Sequence, residues 1–299
     1  MLTIQGGLEH ESVLPRYLSS LRFPEILVLQ GSPLLGVAFA VRGAVAESAG
    51  SLALLVAANA CLVAHIFALN DWANLQPDLR DPHRAAGVFT ARGVGHRQMG
   101  ALTTGLLIAS LVLFALLGST ALVIALGIAA LSALYSLPPF GWKGRPLLNS
   151  AAHLAGGALH FLLGYSLGAG IDRSGVVIAM FFAVTFTAGH LMQELRDYDG
   201  DVRSGVRTNA VTFGKRRTFA ASLALFTLSQ ALLFGLALEG TIPRPAAALV
   251  VLYPVHLRWS LQTLADGLTY AGVRRLQARY RVLYAVIGVA LIAALWVAP

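Results

Sequence analysis

The sequence predicts an all-α, polytopic membrane protein, with about nine transmembrane helices gathered in one bundle around a central cavity. Three observations carry this reading. Hydrophobic residues fill 57% of the 299 positions and charged residues only 12%, against roughly 25% charged in a soluble domain. From Gln98 to Trp142 there is no Asp, Glu, Lys or Arg, a run about twice the ~20 residues that a helix needs to cross the hydrocarbon core. Lys and Arg also sort onto alternate loops, as membrane topology demands.

Taken in order, hydropathy places spans at 24–41, 51–69, 99–117, 119–136, 147–169, 175–193, 218–238, 245–263 and 281–297. The long uncharged run divides at Gly118-Ser119, and the eighth span is the least apolar because it contains Arg258. No soluble segment intervenes, so residues 1–299 read as a single domain. The N-terminal segment and the loops after the even-numbered spans hold Arg80, Arg84, Arg92, Arg97, Lys143, Arg145, Arg203, Arg207 and Lys215 to Arg217. Only Arg42, Arg173 and Arg244 fall on the other side.

The positive-inside rule then puts the N-terminus in the cytoplasm, and the expected location is a bacterial inner membrane. Met1 to Arg22 is polar with mixed charge, which is not the pattern of a cleavable signal peptide. The net charge of +8 reads as topology plus attraction to anionic lipid head groups, with no nucleic-acid partner. Cys61 is the single cysteine and lies within a span, which excludes disulfides and a cysteine zinc site.

The acidic residues are the functional clue. Seven of the fourteen fall in two short segments, Asn70-Asp71-Trp72-Ala73-Asn74-Leu75-Gln76-Pro77-Asp78-Leu79-Arg80-Asp81 and Glu194-Leu195-Arg196-Asp197-Tyr198-Asp199-Gly200-Asp201. Each follows an apolar span, the second and the sixth. An offset of four spans gives both segments the same orientation, so they can face one cavity from opposite walls.

Asp71, Asn74 and Asp78 are spaced to share one helical face, as are Asp197 and Asp201, with Glu194 flanking. Such oxygen ligands suit Mg²⁺, which keeps several waters and is shared with substrate phosphates. Acids near a membrane are costly and tend to be functional; the alternative is that they are solvated partners of Arg80, Arg84 and Arg196. Lys143, Arg207 and Lys215 lie near the same end of the chain's spans and are candidates to hold phosphate oxygens. Asn149, His153, His160 and His190 are polar groups inside apolar spans. Trp72 and Tyr198 lie within the acidic segments, suited either to cation–π contact or to interfacial anchoring.

In combination these motifs resemble the UbiA superfamily of intramembrane prenyltransferases, which pairs Asn-Asp-x-x-Asp-x-x-x-Asp after its second helix with Asp-x-x-x-Asp after its sixth. Here the first reads Asn70-Asp71-Trp72-Ala73-Asn74-Leu75-Gln76-Pro77-Asp78, and the second Asp197-Tyr198-Asp199-Gly200-Asp201. The stretch from Gly200 through Gly205 and Thr208 to Gly214 and the Tyr135 to Lys143 segment are also similar to family patterns. One departure is that Asn74 stands where the family usually has Asp, which removes a charge from the first segment.

The resemblance implies a Mg²⁺-dependent transfer of a polyprenyl group from its diphosphate through an allylic carbocation. Asp71, Asn74, Asp78, Asp197 and Asp201 would hold metal, with Asp71, Asp78, Asp197 and Asp201 catalytic. Asn70, Tyr135, Lys143, Asn149, Arg207 and Lys215 would bind substrate. The implied partners are a prenyl diphosphate donor, a small-molecule acceptor of aromatic character and membrane lipid. A terpene cyclase on the same scaffold and a cation-coupled transporter are the competing readings.

Overall fold

The computed structural model describes residues 13–41, 49–81, 83–168 and 170–297. Arg42 and the segment Met1 to Ser12, on which parts of the topology and signal-peptide readings rest, lie outside the described residues. Among the described residues there are helices and connecting loops but no strand.

A short helix α1 (Val13–Ser20) leads into the first span, which is broken into α2 (Phe23–Val28) and α3 (Gly31–Ala40). Then follow α4 (Ala49–Ala73), α5 (Leu75–Arg80), α6 (His96–Leu117) and α7 (Ser119–Ser136). The second half comprises α8 (Leu148–Gly168), α9 (Arg173–Ser204), α10 (Asn209–Phe213), α11 (Lys215–Leu238), α12 (Tyr253–Ala265) and α13 (Tyr270–Val297). The break between α6 and α7 falls at Gly118, whose φ of 131° is open to glycine but rarely to other residues.

The predicted nine spans become seven helices that are long and apolar enough to cross a membrane. The two differences have separate causes. The fifth predicted span is α8, a full-length helix whose hydropathy is lowered by Asn149, His153 and His160, of which Asn149 and His160 are buried. The eighth predicted span is not one α-helix: Arg244–Leu252 is 3-10, and α12 has only 13 residues and begins with Tyr253-Pro254. Proline cannot donate an i→i−4 bond, so the α-helix starts afresh there.

Among the described residues, the two largest of the apolar clusters that hold the bundle span most of its helices. Leu35, Phe39, Phe161, Phe181, Leu233 and Leu283 join α3, α8, α9, α11 and α13. Leu55, Leu62, Phe114, Ile124 and Leu163 join α4, α6, α7 and α8. Lipid tails are as apolar as leucine, so close packing, rather than water exclusion, holds such helices together.

α3 crosses α8 at backbone contact. A Cβ on Gly164 would be driven into the backbone of Pro33, and one on Gly36 into Phe161 O and Tyr165 N. Because backbone is met on both sides, neither neighbour can turn aside. Gly164→Ala is therefore expected to destabilise the protein by about 1–3 kcal/mol, seen as a lower thermal midpoint in detergent. An unchanged midpoint would show that this crossing carries no strain on substitution.

Candidate active site

The first acidic segment begins in the last turn of α4. The sequence pattern expects one continuous helical face, but the helix is interrupted at Asn74, with φ −105° and ψ 17°. Pro77 is the cause: its ring would clash with the carbonyl one turn earlier. Bonds from Asn74 N–H to Asn70 O and from Asp78 N–H to Asn74 O, both 3.0 Å, nevertheless keep the turns stacked across the break. The second segment runs without interruption to the end of α9, where Gly205 (φ 72°) terminates it in the left-handed conformation.

The two segments meet at one end of the bundle, where α5 packs on α9 and Ser204 Oγ donates to Pro77 O at 3.2 Å. Gly200 permits the approach. A Cβ there would collide with the Asp81 carboxylate, so the absence of a side chain lets the first segment lie on the helix that carries the second.

Arg84, from the loop after α5, joins them. Its guanidinium contacts Asp78 at 2.9 Å, Asp81 at 3.6 Å and Asp197 directly. Burial opposes the guanidinium charge, but the carboxylates of Asp197 and Asp78 outweigh it and hold Arg84 above its ordinary pKa. Asp197 also accepts two bonds from Arg196, at 2.7 and 2.9 Å. Asp71 is paired with Arg22 from the segment before α2. The alternative reading of paired acids is thus met for Arg84 and Arg196, and Arg22 is a partner that sequence reasoning missed. Nothing local in the sequence signals a contact 49 residues away.

Lys143 lies on a loop between α7 and α8, where its ammonium donates to Asn74 Oδ1 at 3.2 Å. The Asn74 amide nitrogen is turned back onto Asn70, 2.8 Å from its carbonyl oxygen and 3.1 Å from its Oδ1. The departure to asparagine therefore has a local account, since the amide nitrogen is held by Asn70 while its oxygen accepts from Lys143. Burial and the nearby Arg84 charge lower the Lys143 pKa.

Asn149 is fully buried and its amide is committed to Lys143 O, Glu194 and Asn209. Lys215 lies on the outer side of α9, 3.6 Å from Asp199 and over the Tyr198 ring. Arg207 is exposed and has no ion pair among the described residues. Trp72 stacks on His96 and donates to its carbonyl at 3.2 Å, so it anchors α4 to α6.

One helical turn beyond Asn149, His153 stacks on His190 with ring centroids 3.5 Å apart. Tyr135 meets His153 edge-on at 5.0 Å, and Phe186 lies 5.6 Å away. His153 Nδ1 is 2.8 Å from the Asn149 carbonyl, which only accepts, so the proton sits on Nδ1. Tyr135, His153 and Phe186 are half-buried and their rings meet where α7, α8 and α9 pack together.

The donor set fits Mg²⁺. Asp71, Asn74, Asp78, Asp197 and Asp201 all present oxygen, the ligand type that Mg²⁺ prefers, and the Arg84 guanidinium already supplies the positive charge that Asp78 and Asp197 require. Among the described residues no three His, Cys, Asp or Glu side chains converge at metal-binding spacing, and the Arg84 guanidinium lies between Asp78 and Asp197. A separate cavity of about 490 Å³, lined by Gln262, Asp266, Arg275 and Arg279, includes none of these acids.

The fold and this constellation define an integral membrane protein with an oxygen-rich, arginine-flanked site at one end of its helices. The chain belongs to the UbiA prenyltransferase family, whose pattern it matches over residues 31–269.

A lycopene elongase/hydratase of Haloferax volcanii is 30% identical over 167 residues, 54% of this chain and 50% of that protein. The chain thus spans about half the length of this curated relative. A UbiA homolog from Archaeoglobus fulgidus, solved bound to GPP and Mg²⁺, superposes with a TM-score of 0.71 at 19% identity, covering 93% of this chain and 99% of that one. A digeranylgeranylglyceryl phosphate synthase superposes with a TM-score of 0.70 at 15% identity, covering 95% and 98%. At such identities the two superpositions establish the fold.

Proposed function

We propose that the protein is a Mg²⁺-dependent intramembrane prenyltransferase that moves a prenyl group from its diphosphate to a carbon or oxygen nucleophile. The observation that carries this reading is the meeting of the α4–α5 and α9 acids at one end of the bundle, with Lys143 beside them. Asp71, Asn74, Asp78, Asp197 and Asp201 would hold Mg²⁺, which supplies charge to the departing diphosphate. Lys143 and Arg84 add positive charge at the same place, where it counts most as the allylic C–O bond breaks. The apolar helices beneath hold the hydrocarbon tail and keep water from the cation.

The cluster of Tyr135, His153 and Phe186 is the proposed place for the acceptor, and its aromatic faces suit an electron-rich ring. A polyene acceptor is the second reading, favoured by the resemblance to a lycopene elongase/hydratase. The basic residues near the acidic end support a cytoplasmic active site, in keeping with a bacterial inner membrane.

The test is to incubate purified protein with prenyl diphosphates of about ten to twenty carbons, with and without Mg²⁺, and with aromatic or polyene acceptors. Pyrophosphate release and product mass are followed together. Release that needs both metal and acceptor supports a transferase, and release of a cyclic hydrocarbon without acceptor points to a cyclase. Cation-dependent solute uptake into proteoliposomes, with no turnover of prenyl diphosphate, would replace the reading with a transporter.

A further inference from the structure

Glu194 belongs by sequence to the second acidic segment, yet its carboxylate does not join the others. It is 4% exposed, and its Oε1 accepts from Asn149 Nδ2 at 2.6 Å and from Asn209 Nδ2 at 3.0 Å. Its Oε2 accepts from the Ala210 N–H at 3.0 Å. Each of these partners is a donor, so both carboxylate oxygens are engaged as acceptors. Among the described residues no Lys or Arg pairs with it; His190 Nε2 lies 3.0 Å from Oε1 but off the line of a hydrogen bond.

The donors to Glu194 also hold the loop that carries Lys143. The Asn149 amide reaches Lys143 O at 3.3 Å, and Asn209 Oδ1 accepts the Leu147 N–H at 2.8 Å. Leu147 is held at φ 65°, a left-handed conformation that residues with a Cβ disfavour. The loop is therefore pinned at its Lys143 carbonyl and again at a residue that would not adopt its backbone unaided. Glu194 is the common acceptor for both pins, and it stands one turn before Asp197 on the same helix.

We propose that Glu194 is a positioning residue rather than a metal ligand: through Asn149 and Asn209 it fixes the Lys143 loop against the acid-bearing end of α9. This sets the distance between the ammonium and the second acidic segment, and so the width of the site that receives a diphosphate. The proposal rests on the reading of Lys143 as a diphosphate-binding group.

A double-mutant cycle tests it, because residues that act through one another are non-additive. Full-length wild type, Glu194→Gln, Lys143→Ala and the double variant are compared in detergent by equilibrium binding of radiolabelled GPP with Mg²⁺. Glutamine places an NH₂ against donors, so Glu194→Gln is expected to weaken binding on the order of tenfold. In the Lys143→Ala background the same change should cost no more than about twofold further.

Wild-type binding by Glu194→Gln, or penalties that multiply in full in the double variant, would overturn the proposal. Where Glu194→Gln fails to fold, Asn209→Ser, which withdraws one donor from Glu194 and one acceptor from Leu147, carries the same cycle. If the wild type itself shows no Mg²⁺-dependent GPP binding, the functional reading fails, and with it the role given to Lys143.

Discussion

Asp197→Ala is expected to lower prenyl transfer on the order of 10³-fold, because it removes a proposed Mg²⁺ ligand from the point where the two acidic segments meet. Asp197 is contacted by Arg84 from the opposite loop and by Arg196 from its own helix. Losing it removes a donor and also leaves two guanidinium groups without their common carboxylate. Asp199 supplies the control two residues away. Its side chain is 58% exposed and among the described residues pairs with Lys215 at 3.6 Å, an exposed contact of small energetic weight. Asp199→Ala should therefore turn over at the wild-type rate within about twofold. Pyrophosphate release with product mass reads both variants, and equal activity in the two would remove the acidic segments from the mechanism.

The fold was legible in the sequence where a single physical rule dominates. Hydrophobic runs of sufficient length cannot be left in water, so the predicted spans 51–69, 119–136 and 218–238 fall on α4, α7 and α11. Gly118 divides the long uncharged run because it alone there adopts a φ of 131°. The rule is weaker where polar groups face inward. The helix α8 carries Asn149, His153 and His160 and drops below the hydropathy of a span although it is fully helical. In the region after Pro243 the backbone chooses 3-10 geometry, which hydropathy does not report.

The site was legible in its residue types but not in its pairings. Side-chain spacing identifies Asp71, Asn74 and Asp78 as one group, while Pro77, in plain view, signals the break that Asn74 absorbs. The sequence grouped Glu194 with the acids of α9, and only the packing of α8 and α10 on that helix turns it toward Asn149 and Asn209. Arg22 and Arg84 act across long separations, where the choice of partner depends on which helices pack together. Gly200 had a signal, its place next to Asp201 in the family pattern. Its reason, room for Asp81, requires the partner segment to be in place.

Arg84 leads to the second large effect. Its guanidinium pairs with Asp78 and Asp197, whose side chains are 9% and 14% exposed. Removing one partner of a buried ion pair costs ~3–5 kcal/mol, and because Arg84 keeps 25% exposure a loss nearer 2 kcal/mol is expected for Arg84→Ala. If Mg²⁺ takes up the same carboxylates, it should restore that loss, since a ligand at ~100 times its Kd stabilises by about 2.7 kcal/mol. The wild type should gain less from Mg²⁺ than Arg84→Ala does, because the ion must first displace a resident cation. Chemical denaturation or thermal melting in detergent, with and without Mg²⁺, measures the difference. Equal stabilisation of the two proteins by Mg²⁺ would mean that arginine and metal do not compete for these acids, and that the ion binds apart from Asp78 and Asp197.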